Sequence, residues 1–426
     1  MNKYNKFHVL TLIFISVVIN YMDRTNISVA ATSISEDLAL TPVDMGIVFS
    51  AFAWTYSVMQ IPGGMIVDTV RVRILYPFIL IAWSIATIVQ GLVSSLAAMV
   101  GCRMIVGAFE APSYPANNKI VTQWFHERER ASAIAVYTSG QFIGLAFLMP
   151  LLALIQDWFG WRGLFFLSGV IGIAWAAVWY FLYRDNTEGR VRAIPSSEDS
   201  TENLNSCPET ESISWANIRL AFSNRKLWGI YIGQFCLGST LIFFLTWFPT
   251  YLAEYRGLGD LKTGFLASIP FIAAFFGVLC SGFSSDWLVR RGYTNEFARK
   301  TPVILGLFLS GSVVAANYVD SMAAVTFFLS LAFFGNGLAS INWVFVSLIA
   351  PRHMVGLVGG CFNFIGGLSA VIIPVAIGFL VQDGDFRPAL ILIGGLALTG
   401  VCSYLFLVGR VEEISFSESE SEKVIA

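Results

Sequence analysis

Charged residues are scarce in this chain. Asp, Glu, Lys and Arg make up 13% of its 426 residues, against about 25% in a typical soluble domain. Histidine is rarer still: His8, His126 and His353 all fall at helix ends or in loops. No metal cluster and no nucleophile–base pair can be assembled around them. No Gly-x-x-x-x-Gly-Lys segment is present, which argues against ATP-driven work by this chain alone. The six cysteines, Cys102, Cys207, Cys236, Cys280, Cys361 and Cys402, show neither pairing nor metal spacing. Most lie in apolar stretches and read as small packing residues. A net charge of −2 carries no field that would draw nucleic acid. No small-x-small cleavage site follows the first apolar run, so Lys3, Lys6 and that run read as a first helix rather than a removed leader.

Apolar residues dominate instead, at 56% of the chain with a mean hydropathy of +0.69. This is the composition of an all-α protein that crosses a lipid bilayer many times. Twelve apolar segments are expected to span it, at 8–32, 45–67, 75–94, 97–121, 131–154, 163–183, 228–252, 263–285, 301–318, 322–349, 355–381 and 387–409. They group into an N-terminal six-helix bundle (1–183) and a C-terminal one (227–410). A polar linker (184–226) joins them, with a short interfacial helix expected near Trp215–Phe222. An acidic, serine-rich tail (411–426) has the composition of a disordered segment.

Lys and Arg set the orientation. With a cytoplasmic N-terminus, the inside loops and tails carry nineteen of them and the outside loops four, Arg162, Arg256, Lys262 and Arg387. Both termini are therefore expected in the cytoplasm. The halves also repeat. A shift of 218 residues places Gly46 on Gly264, Ser50 on Ser268, Gly64 on Gly282, Asp68 on Asp286 and Arg73 on Arg291. Five matches in register, at equivalent topological positions, mark two homologous bundles related by an axis along the membrane normal.

Ionisable residues inside spans are few and lie in one half. Asp23 and Arg24 close the first apolar run, while Arg103 and Glu110 lie on the fourth helix. A charge at mid-bilayer costs about 2.5–3.5 kcal/mol on insertion scales. Asp23–Arg24 is thus either the flank of a short buried helix or a functional ion pair. Arg103 and Glu110 are seven residues apart, on one helix face and about 10 Å apart along the axis. At the 218-residue offset Asp23–Arg24 becomes Leu241–Ile242. Charge that served only the fold would be needed twice, so coupling chemistry is assigned to the first half. The competing reading is two internal salt bridges, which stabilise less well than apolar packing. Lys119 can snorkel to the cytoplasmic end. Pro112 and Pro115 invite a bend in the fourth helix.

These segments resemble the major facilitator superfamily over essentially the whole chain. Asn20-Tyr21-Met22-Asp23-Arg24-Thr25-Asn26 and Phe109-Glu110-Ala111-Pro112-Ser113-Tyr114-Pro115 are similar to its anion:cation symporter family. Phe49–Trp54, Tyr137–Phe142, Phe244–Pro249 and Phe333–Gly337 are similar to the sugar-acid branch of that family. The loop after the second helix departs from the usual Asp-basic-x-Gly-x-basic pattern: Thr69 replaces a basic residue and Arg71 stands where glycine is usual.

The resemblance implies a secondary transporter without cofactor. It would use the proton gradient to take up a sugar acid, such as D-galactonate or a related hexonate, by alternating access. The setting implied is a bacterial inner membrane and the unit a functional monomer. A glucarate, hexuronate or other organic-anion symporter is the alternative. A drug:proton antiporter fits two cavity arginines less well, and an intramembrane enzyme lacks partners for its carboxyls. Asp23, Glu110 and Arg103 are the expected proton-coupling residues, with Arg103 pairing with Glu110 or Asp23. Arg24 is the expected anchor of the substrate carboxylate through its bidentate fork. Tyr21, Tyr56, Gln141, Ser340, Asn342, Trp343 and Asn363 match the branch's binding positions, Asn342 standing where relatives carry a hydroxyl. Asn20, Asn26, Gln60 and Gln234 read as helix–helix hydrogen-bonding residues. Asp68, Arg73, Asp286, Arg290 and Arg291 are the expected cytoplasmic gate.

Overall fold

The computed structural model describes residues 6–125, 127–185, 215–351 and 354–414. Most of the expected linker and tail lies outside these. Helix α1 (Lys6–Val29) breaks at Ala30 and continues as Ala31–Leu38. Next come α2 (Pro42–Thr69), α3 (Val72–Gln90) and α4, the last in two pieces, Leu96–Glu110 and Ser113–Trp124. The run Glu127–Leu182 reverses at Gly160 (φ 68°, ψ 175°), which divides it into α5 and α6. Only glycine tolerates that backbone without strain. A short helix, Trp215–Ser223, precedes α7 (Arg225–Thr246). The remaining helices are α8 (Asp260–Arg290), α9 (Asn295–Ser310), α10 (Met322–Ala339), α11 (Val355–Leu380) and α12 (Arg387–Cys402). Ten runs among the described residues are long and apolar enough to cross a membrane. Val136–Leu182 counts twice because of its reversal, and the 28 residues of α2 complete the twelve.

Local chemistry starts these helices where the apolar runs begin. Thr41 and Asp44 form a capping box at α2, with Pro42 at the first helical position. Ser95, Asn224 and Thr294 accept backbone N–H bonds at the starts of α4, α7 and α9. The outer surface is apolar, with Phe147, Phe181, Phe283 and Phe406 all exposed. The charges are inside, where Asp23, Arg103 and Glu110 are 1%, 3% and 0% exposed. Water could not select that arrangement; a hydrocarbon surrounding does.

The halves meet along α2–α11, α5–α8 and α1–α7. A Cβ on Gly46 (α2) would lie 2.5 Å from the Pro374 carbonyl oxygen of α11. One on Gly264 (α8) would lie 2.4 Å from Ala153 Cβ and 3.0 Å from the Met149 carbonyl oxygen of α5. These glycines are partners in the 218-residue repeat, so each half uses the same position to reach the other. Ser50 and Ser268, the next repeated pair, bond back to Ile47 and Phe265 in the same i−3 pattern. All these contacts lie at the end of the bundle holding the α1–α2 turn. At the opposite end, a Cβ on Gly64, Gly282 or Gly360 meets nothing within 4 Å. Among the described residues the halves are therefore wedged together at one end, with no comparably close glycine approach at the other.

Within the first half, α2 and α4 cross closely at Gly107. A Cβ there would lie 2.2 Å from the backbone oxygen of Phe52. Gly107→Ala is expected to destabilise the protein by about 1–3 kcal/mol through overpacking against backbone. Gly101→Ala on the same helix meets nothing within 4 Å and is expected to be neutral or stabilising by up to about 1 kcal/mol. Thermal unfolding of both variants in one detergent checks the contrast.

Candidate functional site

Neighbouring residues on an α-helix point about 100° apart, so Asp23 and Arg24 leave α1 in different directions. Arg24 turns toward α4, where its Nε donates to Glu110 Oε1 at 2.6 Å. Three rings surround the guanidinium: Tyr21 at 5.0 Å, Phe52 at 5.0 Å and Tyr56 at 4.8 Å. Desolvated cation–π contacts of this kind hold a guanidinium without neutralising it. The side chain is 17% exposed, and its Nη2 has no partner.

Asp23 turns into the first bundle, where its Oδ2 accepts from the Trp83 indole of α3 at 3.0 Å and its Oδ1 has no partner. Arg103 donates to the backbone oxygen of Asp23 at 3.3 Å and lies over Phe52 at 5.2 Å. Phe52 thus separates two arginines, placed there by the glycine crossing of α2 and α4. Among the described residues Arg103 makes no salt bridge with either carboxylate. This corrects the expected pairing: the helix crossing gives Glu110 to Arg24 instead. Arg103 and Glu110 share a face of α4 but are too far apart along it to meet. The four groups remain formally neutral together.

The bend of α4 falls where the prolines place it. The first piece ends at Glu110 and the second starts at Ser113, so Glu110 lies at a free helix end. Lys119 Nζ donates to the carbonyls of Val67 and Val70, capping the end of α2. Of the other expected substrate residues, Tyr21 donates to Gln141 Oε1 at 2.7 Å, and Tyr56 stacks on Phe52 with ring centroids 5.1 Å apart. These join the Arg24 cluster.

Ser340, Asn342, Trp343 and Asn363 belong to the second half. There α10 tightens into a 3₁₀ turn, Ser340–Trp343. Asn342 is buried and donates to Gln234 Oε1 on α7 at 2.6 Å. Trp343 packs edge-on against Phe362 at 4.8 Å and is 48% exposed. Asn363 is exposed one turn before Gly367, whose Cβ would lie 3.7 Å from Ser57 Oγ, beside Tyr56. Among the described contacts none joins these four residues to Arg24.

Among the described side chains, Arg73, Arg290 and Arg291 make no contact across the halves. The Asp68 and Asp286 side chains lie outside what is described. The Arg73 N–H donates to Asp185 at 3.3 Å and its guanidinium lies over Tyr180 at 5.3 Å, both within the first half. Arg290 and Arg291 are exposed, with Arg291 over Trp287 at 4.4 Å.

Sequence reasoning passed over Trp83 and Phe52. In an apolar span the two aromatics look like packing. Gln234, expected as a helix–helix hydrogen-bonding residue, takes that role by accepting from Asn342.

Two six-helix halves packed closely at one end, with a buried charge-neutral cluster in the first, are the architecture of a multi-pass membrane transporter. Residues 13–374 match the model of the Major Facilitator Superfamily, and the chain belongs to that family. It is a transporter and not an enzyme. It is 46% identical over 422 residues to a D-galactonate transporter of Escherichia coli O6:H1, covering 95% of this chain and 96% of the relative. It is 36% identical over 425 residues to a probable galactarate/D-glucarate transporter of Escherichia coli K12, covering 96% and 94%. A solved bacterial homolog of the human lysosomal transporter Spinster shares the fold, with a TM-score of 0.74, 19% identity and 96% of each chain covered.

The ion pair carries a stability prediction. Glu110→Gln leaves the Arg24 charge without its counter-ion and is expected to cost about 3 kcal/mol. Adding Arg24→Gln to it should recover part of that loss. A double-mutant cycle read by thermal unfolding measures the coupling.

Proposed function

We propose that this protein is a proton-coupled symporter that takes up a sugar acid, with D-galactonate or a related hexonate as its substrate. One observation carries the reading. Arg24 gives only Nε to Glu110, and its Nη2 donor has no partner. A substrate carboxylate entering the opening would compete with Glu110 for the same guanidinium. A proton on Glu110 weakens the ion pair and releases the fork, so proton and anion bind together. Asp23, held by Trp83, is assigned as a second proton site, and Arg103 keeps the cluster neutral while both carboxyls are ionised. Tyr21, Tyr56 and Gln141 supply hydroxyl partners from the first half, with Ser340, Asn342, Trp343 and Asn363 from the second. The similarity to a D-galactonate transporter supports the choice of substrate class.

The chain acts as a monomer in a bacterial inner membrane, with both termini cytoplasmic. On that orientation the wedged end faces outward, which supports reading this conformation as inward-facing. In the alternate state Asp68, Arg73, Asp286, Arg290 and Arg291 close the cytoplasmic end. No cofactor is required, because the proton gradient supplies the work.

Purified protein in proteoliposomes with an imposed pH gradient tests the reading. Wild type should accumulate galactonate in preference to gluconate, glucarate and glucuronate. Asp23→Asn and Glu110→Gln should each abolish gradient-driven accumulation. If both retain it at wild-type level, the coupling assignment is wrong. Arg24→Ala should lose binding by tenfold or more, about the 1.4 kcal/mol or greater expected of a charged hydrogen bond. Normal affinity in that variant would remove Arg24 as the anchor.

A further inference from the structure

We propose that Asn20, Ser113, Tyr76, Asn117 and Ser16 line a buried proton path that leaves Glu110 through the interior of the first half, apart from the substrate opening. The proposal rests on the proton-coupled reading above and adds where the proton goes.

The path follows from the antiparallel pairing of α1 and α4. Arg24 meets Glu110 at 2.6 Å, and Asn20 donates to Ser113 Oγ at 2.9 Å. Each step moves about one turn back along α1 and one turn forward along α4. The next step brings Ser16 and Asn117 to the same level. Tyr76 of α3 sits there, its hydroxyl near Ser16 and Asn117 but not in hydrogen-bonding geometry to either. Ser16 is fixed by two bonds, accepting from the Trp175 indole of α6 at 2.9 Å and donating to the Leu12 carbonyl at 2.9 Å. All five residues of the path are fully buried, at 0% exposure.

The column is only partly satisfied. Glu110 Oε2, Asn20 Oδ1, both amide atoms of Asn117 and the Tyr76 hydroxyl have no hydrogen-bond partner. Each such atom costs about 1–3 kcal/mol unless something satisfies it. Helix packing alone would not maintain so many along one column. Water is the partner small enough to reach them, and a polar site of this kind holds it. From Glu110 to Asn117 the column covers about 10 Å at 1.5 Å per residue. Beyond it, Tyr76 stacks on Trp179 at 4.2 Å and Trp179 on Tyr183 at 4.8 Å. The Tyr183 hydroxyl faces Asp185, which accepts from the Arg73 N–H at 3.3 Å, at the end of the bundle where α6 finishes.

Transfer along the column balances at every step. The O–H bond of protonated Glu110 breaks and its proton joins a water beside Asn20, leaving the carboxylate on Glu110. That water passes one of its own protons to the next oxygen. Ser113 and Tyr76 each accept at oxygen and release the proton they held. Because a stacked ring carries no proton, water must bridge from the Tyr76 hydroxyl to the Tyr183 hydroxyl before a solvent water near Asp185 takes the last one. The amides of Asn20 and Asn117 orient the water and are unchanged, as is every hydroxyl.

The test uses full-length protein in proteoliposomes and two assays. Galactonate counterflow measures exchange without net proton movement; accumulation under an imposed pH gradient requires it. Asn117→Leu and Tyr76→Phe should keep wild-type counterflow. Gradient-driven accumulation should fall to the no-gradient level in the first and partly in the second, and Asn117→Gln should restore it. A structural lesion would lower both assays in proportion, and that result overturns the path. So does wild-type accumulation in both variants. If wild type itself exchanges galactonate but ignores the gradient, the coupling reading fails and the path with it. That outcome is distinct from a responsive wild type matched by its variants.

Discussion

The buried ion pair between Arg24 and Glu110 is the constraint on which the rest of the first half depends. Two charges removed from water must be compensated within a few ångströms, because nothing in hydrocarbon will do it for them. The chain meets that need with backbone as much as with side chains. Gly107 lets α2 approach α4 closely, and the approach sets Phe52 between Arg24 and Arg103. Pro112 ends the first piece of α4 directly after Glu110 and leaves that carboxyl at a helix terminus. A bulkier residue at 107 or an unbroken α4 would change the geometry of the charges without touching a charged residue.

The scaffold is symmetric and the chemistry is not. Gly46 and Gly264 are related by the sequence repeat and make the same kind of approach to the opposite half, one to α11 and the other to α5. Ser50 and Ser268 repeat even their local hydrogen bond. At the level of Asp23 and Arg24 the second half carries Leu241 and Ile242. There the polar contact is neutral, between Asn342 and Gln234. Duplication supplies two matching halves, while the ionisable groups inside the spans stay in one of them, where the proposed proton coupling would act.

Much of this was legible in the sequence because a bilayer reduces folding to length and polarity. The twelve spans, the bend of α4 and the concentration of charge at Asp23, Arg24, Arg103 and Glu110 all follow from residue type and spacing. The exchange of partners did not. Arg103 and Glu110 share a helix face, but seven residues set them about 10 Å apart, and spacing along one helix cannot name a partner on another. The real partner is decided by how α1 crosses α4, which depends on a glycine, a proline break and the direction in which Arg24 leaves α1. Trp83 was missed for a related reason. A tryptophan in an apolar span carries no sign of whether its N–H meets a carboxylate, and only the rotation of α3 against α1 settles that.

Among the described residues the seam at the wedged end carries no salt bridge. Close backbone approaches build it, Gly46 on a carbonyl, Gly264 on Ala153 and a carbonyl, Gly378 on the Pro42 carbonyl, with the Phe49 ring edge-on to Trp247. Such contacts gain dispersion energy in small increments and bury no unpaired charge when they part. A seam of ion pairs would have to be desolvated and resolvated at every cycle, and that cost would depend on pH and salt. Keeping the closing surface neutral separates the work of opening from the work of binding. In the proposed cycle the proton gradient then acts at Glu110 and Asp23. Their protonation is felt by the substrate through Arg24, and the balance between open and closed ends is shifted only by what is bound there. A ligand can move such an equilibrium only by as much as it prefers one state. A neutral seam leaves that preference to be set at the cluster between α1 and α4.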